Sequence, residues 1–358
     1  MKYLNALNKI TGVGTKKMQL LLNFFENGEN IWRANLLELK NSSIGESLAE
    51  KIFSEKNNID PDLEWEKIQK ENIQMITLCD SHYPVLLKEI SNPPYIIYKK
   101  GNLDLNLSPM ISIVGSRKYT NYGSQVATSL AKDLVNAGIV IISGMALGID
   151  TLAHQSAINN FGKTVAVLGN SLDNKNIYPR NNLNLSHEIM QNGALVSEYP
   201  MEMPAGKFTF PARNRIIAGL SLGTIVIEAG EKSGSLITAN MALEYNREVF
   251  SVPGSIFSPL SFGTNNLIKS GARVVTNIKD ILEELDLSRK ILPEEKLPKN
   301  PTNNEEKILL KILSSDPLHI DNIAKIAKLQ TATCSGTLSM MEIKGWVKNI
   351  GGQNYIQL

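Results

Sequence analysis

Basic and aromatic side chains alternate in the segment from Lys207 to Arg215, which reads KFTFPARNR. Cations of this kind hold the backbone of a single nucleic-acid strand, and rings stack on its bases at roughly 1–3 kcal/mol per base. Arg213 and Arg215 are two residues apart, so on a helix they face different directions. The segment therefore indicates a single-strand site in which one arginine can contact the strand while the other pairs with a protein carboxylate. For Phe208 and Phe210, packing into the core is an equally good interpretation.

A second candidate for phosphate binding is Gly115-Ser116-Arg117, which directly follows the apolar run 111–114. Gly115 permits a sharp exit from a strand, Ser116 can hydrogen-bond a phosphate, and Arg117 can pair with one through two parallel hydrogen bonds. An ordinary turn that carries a surface arginine is the alternative interpretation.

A glycine-rich turn from Ser143 to Asp150 follows the next apolar run and opens a helix. Gly144, Met145 and Gly148 lie in this turn, where the backbone can approach an anion and the helix start supplies unpaired N–H groups. The turn matches neither the dinucleotide-binding pattern nor the P-loop. It predicts a phosphate site that lacks the NAD or ATP fingerprint, or a simple turn that Asp150 caps.

Two further loops carry candidate contacts. In Tyr178-Pro179-Arg180-Asn181, Arg180 suits a backbone phosphate. In the segment 228–235, Lys232 with Ser233-Gly234-Ser235 forms a second potential anion nest. Glu228 and Glu231 in the same segment would repel a phosphate unless they are paired or turned away, which favours an enzyme instead.

The elements that must position these residues alternate between strands and helices. Short β-branched runs from 111–114 to 272–275 are separated by amphipathic helical segments. This pattern predicts an α/β fold with an extended Rossmann-like, doubly wound, mainly parallel sheet at residues 108–285. Ligands of such sheets bind beyond the carboxyl ends of the strands, where all of the candidate segments above fall.

The flanking segments predict smaller modules. Residues 1–75 have helical periodicity and a Gly-x-Gly turn at Gly12 and Gly14, as in a SAM or helix-hairpin-helix domain, and residues 76–107 form a connector. Prolines and charges at 286–303 indicate a linker. At 304–358, helical segments followed by a pair of strands predict a winged-helix-like domain, whose third helix has few basic residues and suits a protein as well as DNA.

Composition limits the classes of function. A net charge of +2 gives no global basic excess, so a nucleic-acid site requires cations gathered on one face. The 2 cysteines form neither a disulfide framework nor a metal site. No signal peptide or membrane-spanning run is recognisable. We therefore expect a cytoplasmic protein with no cofactor and no metal.

In combination, the motifs closely resemble the DprA/Smf (DNA-processing protein A) family over roughly residues 80–280. The residues that carry this resemblance are Val114-Gly115-Ser116-Arg117, Ser143-Gly144-Met145-Ala146 with Gly148-Ile149-Asp150, Tyr178-Pro179, Phe210-Pro211 with Arg213-Asn214-Arg215, Ser233-Gly234-Ser235, Val252-Pro253-Gly254 and Gly263-Thr264-Asn265. The resemblance implies a homodimer that binds single-stranded DNA during natural transformation, protects it, loads the RecA recombinase onto it and catalyses no reaction. By position, Arg117 and Lys207 would be the leading DNA contacts, with Phe210, Arg213, Asn214 and the Gly144–Gly148 turn completing the pocket. Leu267 and Ile268 would mark the dimer interface.

A nucleotide-binding enzyme or sensor is the alternative function. The predicted core also resembles the phosphoribohydrolases of the lysine-decarboxylase-like group, which carry a Pro-Gly-Gly-x-Gly-Thr-x-x-Glu motif after the corresponding strand. Here that place reads IEAGEKSGS, from Ile227 to Ser235, so the glycine run and the downstream glutamate are missing. Their chemistry is therefore not expected, and a mononucleotide-binding assay discriminates this hypothesis from the first.

Overall fold

The structure of this protein is a computed structural model that describes residues 1–106, 108–287, 301, 303–314 and 316–357. The chain divides into two units, Met1–Leu292 and Pro293–Leu358. Most of the predicted linker, residues 286–303, lies outside the described residues.

The first unit begins with a layer of short helices, as the periodicity of residues 1–75 predicts. Apolar residues such as Met18, Leu21 and Ile31 face one another and are almost completely buried. Asn35 and Asp60 cap two of the helices through their side chains. The helices are α1 (Lys2–Asn8), α2 (Thr15–Phe25), α3 (Gly28–Arg33), α4 (Leu36–Asn41), α5 (Glu46–Glu55) and α6 (Pro61–Lys70).

Within the described residues, nine strands form one sheet. Seven of them, β3 to β9, are all parallel to one another. The apolar strands from β3 to β7 are buried on both faces, as a parallel sheet covered by helices requires. This confirms the predicted doubly wound, Rossmann-like fold. The strands are β1 (Gln74–Thr77), β2 (Ile96–Lys100), β3 (Met110–Val114), β4 (Val140–Ser143), β5 (Thr164–Val167), β6 (Gly193–Ser197), β7 (Gly223–Val226), β8 (Glu248–Ser251) and β9 (Arg273–Val274).

Helices cover both faces of this sheet. One face packs on α8 and α9, and the other packs on α11 and α12, so the sheet contributes to separate apolar clusters. These helices are α7 (Val85–Lys88), α8 (Asn121–Asn136), α9 (Ile149–Asn159), α10 (Leu183–Asn192), α11 (Thr209–Leu220), α12 (Gly234–Glu244), α13 (Phe262–Lys269) and α14 (Ile278–Glu284).

The segment 76–107, expected to be a connector, contributes to the sheet instead. It supplies the end of β1 and all of β2, which pair antiparallel with each other, and β2 pairs antiparallel with β6. Tyr98 lies opposite Ser197 in that register. A single short apolar run such as the one around Tyr98 does not show which strand it will pair with, so the sequence alone did not place this segment in the sheet.

The direction of the connections reverses beside β3. From β3 the chain proceeds through β4, β5 and β6 on one side, whereas β7, β8 and β9 follow on the other side of β3. At such a switch point, the loops at the carboxyl ends of adjacent strands separate and leave a crevice.

The N-terminal helices are attached to the sheet by polar contacts. The Tyr98 hydroxyl donates to Asn5 Oδ1 at 2.8 Å, and Asn8 Nδ2 donates to the Glu198 carbonyl at 3.2 Å. Lys9 and Lys67 both form ion pairs with Glu202, at 3.3 and 2.9 Å. The loop after β6 is thereby attached to α1 and α6.

The second unit is a winged-helix domain, as predicted. Leu309, Ile323, Leu338 and Val347 form its core. In the part of the unit that the structure describes, the small sheet has the order β10-β12-β11. Its elements are α15 (Asn304–Ile312), β10 (Leu318–His319), α16 (Ile320–Ala327), α17 (Thr331–Ile343), β11 (Val347–Asn349) and β12 (Asn354–Gln357).

Among the described residues, no helix is both long enough and apolar enough to cross a membrane.

Candidate nucleic-acid interface

A cleft opens at the carboxyl edge of the large sheet, beyond the ends of β3, β4 and β5 and beside α11. Four loops or helices converge there because the parallel strands all end at the same edge. The lining residues are Arg117, Gly144, Ala146, Leu147, Tyr178, Pro179, Phe210 and Arg213. The structure thus brings together Arg117, Gly144, Phe210 and Arg213, which the sequence predicted as site residues in three separate segments.

Arg117 and two aromatic rings form one side of the cleft. The Arg117 Cζ atom lies 5.8 Å from the centroid of the Phe210 ring. That ring lies 5.5 Å from the ring of Tyr178, at an interplanar angle of 42°. Arg117 is exposed, Tyr178 is 48% exposed and Phe210 is half-buried, so the charge and part of the ring surface are accessible from solvent. In such an arrangement, the cation can bind a backbone phosphate while a neighbouring ring stacks on a base.

Arg213 contributes to the same cleft from a buried position. Its side chain is only 5% exposed, and Nη1 donates to the carbonyl oxygen of Gly144 at 2.7 Å and to that of Val167. Burial lowers the pKa of Arg213 to about 10. Arg213 therefore fixes the ends of β4 and β5 and adds positive potential to the cleft from beneath.

Asp150 holds the turn between β4 and α9. Its Oδ2 accepts hydrogen bonds from the N–H groups of Gly144 at 3.1 Å and Ala146 at 3.4 Å. Burial raises the pKa of Asp150, and the nearby Arg213 charge opposes that rise. The alternative interpretation, in which Asp150 only supports the turn, therefore has direct geometric support.

Gly148 allows two loops of the site to approach each other. It has a φ of +93°, and a Cβ atom there would overlap the carbonyl of Ser116 and lie 2.6 Å from the Arg117 Cα. The N–H of Ile149 donates to the same Ser116 carbonyl at 3.2 Å. The close approach of the two turns positions Arg117 at the entrance of the cleft, and a larger residue at 148 would separate them.

The predicted second anion nest lies at the start of α12. The Ser233 hydroxyl lies 2.8 Å from that of Ser235 and caps the helix. Asn214 Nδ2 donates to the Gly234 carbonyl at 3.4 Å, which connects this turn to α11. Lys232 is exposed beside it. These residues do not line the cleft, and the bond from Asn214 connects them to α11.

Glu228 does not face the phosphate sites. It is 2% exposed and accepts hydrogen bonds from the N–H of Thr120, at 2.9 Å, and from the Thr120 hydroxyl. The carboxylate therefore lies at the start of α8. The objection that Glu228 would repel a bound phosphate is removed for this residue, because its carboxylate is hydrogen-bonded at the start of α8 and does not line the cleft.

Arg215 points to the other side of α11 from the cleft. Its Nη2 forms an ion pair with Glu198, and both side chains are largely buried. Burial raises the pKa of the Glu198 carboxyl, while Arg215 opposes that rise. Arg215 is thus the arginine that pairs with a protein carboxylate.

Other predicted contacts lie outside the cleft lining. Met145 is completely buried, so it can contribute through its backbone alone. Arg180 Nη1 donates to the carbonyls of Asn174 and Lys175, at 2.5 and 3.4 Å, and so supports its own loop. Lys207 is exposed just before α11. Gly115 lies beneath Arg117, where a Cβ would contact Ile149 at 2.7 Å.

The two residues predicted at the dimer interface have different environments. Leu267 is 8% exposed and packs in the cluster between the sheet and α12, whereas Ile268 is half-buried. Of the two, only Ile268 offers accessible surface, together with Phe262 at the start of the same helix, which is 48% exposed.

Tyr178 and Leu147, which line the cleft, were not predicted as contacts, and for the exposed Phe208 stacking and core packing were equally good interpretations. The available signal for Tyr178 was its position in the loop after β5, next to Arg180. No sequence signal separates Leu147 from a core residue, because its exposure depends on how the turn folds.

Comparison with known proteins identifies the family. The sequence model of DNA recombination-mediator protein A matches residues 74–286, and that of the DprA winged helix domain matches residues 293–353. The protein Smf of Synechocystis is 36% identical over 390 aligned residues, which cover 99% of this chain and 98% of that protein.

Two solved structures are similar. DNA processing protein A (DprA) of Streptococcus pneumoniae has a TM-score of 0.69 and 36% identity, covering 79% of this chain and 98% of that one. DNA processing protein A of Helicobacter pylori, described for its single-stranded-DNA binding mode, has a TM-score of 0.54 and 34% identity, covering 61% and 98%. The resemblance found in the sequence is therefore confirmed, and the chain belongs to the DprA/Smf family.

Proposed function

We propose that this protein binds single-stranded DNA in the cleft beside α11. The arrangement of Arg117, Phe210 and Tyr178 carries the proposal, since it offers a cation for the backbone and ring faces for a base. Arg213 and the helix starts at α9 and α12 add positive potential without filling the cleft. Duplex DNA hides its base faces, so this site favours an unpaired strand.

The similarity to the Helicobacter pylori protein supports the choice of ligand, because that relative has a described single-stranded-DNA binding mode. A site of this kind contacts backbone and base faces rather than base edges, so we expect weak sequence preference. Lys207, Asn214, Lys232 and the turn at Ser233 would extend the contact beyond the cleft.

We further propose that the protein protects the bound strand and loads RecA onto it during natural transformation or recombination, as a cytoplasmic homodimer without catalytic activity. Membership of the DprA/Smf family supports this part. The accessible surface of Ile268 and Phe262 is the proposed position of the dimer contact.

Titration of a fluorescent oligo-dT and of a matching duplex, at two salt concentrations, tests the binding proposal. We expect tight, salt-weakened binding of the single strand and much weaker binding of the duplex. The double variant Arg117→Ala/Lys207→Ala should lose most of the affinity, whereas Lys279→Ala, on α14, should not. Failure of the wild-type protein to bind oligo-dT would contradict the proposal.

Separate assays test the other parts. RecA filament formation on strands coated with a single-strand-binding protein should accelerate when this protein is added. Sedimentation of the wild type and of Ile268→Glu tests the dimer. A nucleotide-binding enzyme or sensor would instead bind or hydrolyse mononucleotides, and a positive result there, with no response to oligo-dT, would replace the present proposal.

A further inference from the structure

Phe208 has an environment that core packing does not explain. Its side chain is 89% exposed, although it directly precedes α11 and lies two residues from Phe210 in the cleft. Burial of a phenylalanine normally stabilises a fold by about 1.5–3 kcal/mol. Here the fold obtains little of that stabilisation, so the ring is not a structural anchor.

The backbone that carries Phe208 is nevertheless well fixed. The Thr209 hydroxyl accepts from the N–H of Gly206 at 2.9 Å and donates to its carbonyl at 3.0 Å. The Thr209 N–H also donates to the Gly206 carbonyl, at 3.2 Å, and the Phe208 carbonyl accepts the Ala212 N–H at 3.3 Å. The turn and the first helical bond thus hold Phe208 between them, and its ring is presented on a rigid base.

The direction of the ring follows from its spacing. Side chains two residues apart at a helix start point about 200° apart around the axis. Phe210 faces the cleft, so Phe208 faces away from it, across the start of α11. Lys207, which is exposed, immediately precedes it. The start of α11 therefore carries one ring inside the cleft, one ring outside it and a cation beside the outer ring.

We propose that Phe208 stacks on an unpaired base just outside the cleft, and so extends the site by one nucleotide. The inference rests on the proposed function, since it requires a single strand in the cleft. A strand that leaves the cleft over the start of α11 meets Lys207 through its backbone and Phe208 through its next base. A paired base cannot present its face to Phe208, so the ring also adds to the preference for single strands.

Substitutions at Phe208 test the proposal through the dissociation constant for oligo-dT, measured by fluorescence anisotropy. Phe208→Ala and Phe208→Leu should weaken binding about fivefold to a hundredfold, because neither has a ring face. Phe208→Trp should bind at least as well as the wild type, with the emission of the new indole quenched by the bound base. The salt dependence should stay unchanged in all three, whereas Lys207→Ala should reduce its slope by about one.

Phe161 provides the matched control. It is 98% exposed in the turn after α9, at the opposite edge of the sheet from the cleft. Phe161→Ala should bind oligo-dT as the wild type does. Truncation of either exposed ring removes no core contact, so both variants should unfold at the wild-type denaturant concentration.

Oligonucleotides with one abasic position provide a second readout. Removal of the base that contacts Phe208 should weaken wild-type binding, and should have no further effect on Phe208→Ala. The inference is overturned if Phe208→Leu binds oligo-dT with the wild-type affinity. It is also overturned if, at every abasic position, the losses of affinity from base removal and from Phe208→Ala simply add. If those results occur while Arg117→Ala still abolishes binding, the proposed function stands without the outer ring. If the wild type ignores oligo-dT, the proposed function itself fails.

Discussion

The guanidinium of Arg213 lies directly against Gly144, and its Nη1 donates to the Gly144 carbonyl oxygen at 2.7 Å. A Cβ atom on residue 144 would overlap that guanidinium. The turn after β4 and the helix α11 are thus joined by a contact for which only glycine leaves room. This contact forms part of the cleft floor, because both residues line the cleft.

Gly144→Ala should therefore displace Arg213 and destabilise the protein by about 1–3 kcal/mol. Affinity for oligo-dT should fall as well, because the cleft floor moves with Arg213. Urea unfolding and anisotropy measure the two effects. Gly336→Ala is the control, because this glycine lies within α17 and alanine is the better helix former. A methyl group added there would meet no described atom within 4 Å apart from its chain neighbours and the backbone of its own helix. An unchanged stability of Gly144→Ala would show that the guanidinium can move without cost.

Substitution of Arg117 should reduce DNA affinity, whereas substitution of Arg213 should reduce stability. Arg117 is exposed, so Arg117→Ala should abolish most DNA affinity and leave the free energy of unfolding unchanged. Arg213→Ala leaves the buried carbonyls and Asp150 without their cation, which should cost about 3–5 kcal/mol of stability. Parallel measurement of oligo-dT affinity and urea unfolding separates them. Equal losses of stability in the two variants would contradict the assignment.

Stability should fall in mild acid because of His154. This side chain is fully buried near Arg213, and burial lowers its pKa from 6.5 to about 3. Below pH 6.5 the unfolded chain takes up a proton at this residue, whereas the folded protein does not until about pH 3. The free energy of unfolding should therefore decrease by up to about 1.4 kcal/mol per pH unit as the pH falls through that range.

The variant His154→Gln isolates this contribution. Other titrating groups contribute equally to the pH dependence of the free energy of unfolding in the variant and in the wild type, so the difference between the two is due to His154. Urea unfolding at pH 7, 5.5 and 4.5 should give a shallower pH dependence for the variant. Thr164, whose hydroxyl lies 2.7 Å from His154 Nδ1, donates to the Ile141 carbonyl, so Nδ1 carries the proton of the neutral ring. Identical slopes in the two proteins would mean that His154 is protonated in the folded state.

The ion pair of Glu198 and Arg215 should contribute to the free energy of unfolding and have little effect on DNA affinity. Either single substitution, Glu198→Gln or Arg215→Met, leaves a buried partner and should cost about 3 kcal/mol. Glu198 Oε1 and Arg215 Nη1 are buried without a hydrogen-bond partner among the described residues, so the pair is incompletely satisfied. The double variant should therefore recover part of the loss, and a fully additive loss in urea unfolding would refute this.

Sequence patterns were sufficient for the fold because strand and helix periodicities are local. The apolar runs 111–114 and 272–275, predicted as strands, correspond to β3 (Met110–Val114) and β9 (Arg273–Val274), so each boundary differs by at most one residue. The cleft was also predictable in outline, since parallel strands bring their carboxyl ends to one edge. Arg117 and Phe210 meet there although they lie far apart along the chain.

The roles of individual side chains were less accessible. Arg213 and Arg215 are identical in type, and only the rotation of α11 decides that one supports the cleft and the other meets Glu198. Phe208 and Phe210 had equal expectations of core packing, yet neither is fully buried. Such distinctions depend on tertiary contacts with residues distant in sequence, which a local pattern does not contain.

The antiparallel pair β1 and β2 determines how far the chain can be truncated from its N-terminus. Removal of residues up to 107 would leave the backbone groups of β6 unpaired along an apolar edge, open to association with other chains. A truncated protein for crystallography or domain exchange should therefore begin before Gln74. A fragment for domain exchange should include β1 and β2 together with the doubly wound core. A fragment that starts at residue 108 should aggregate.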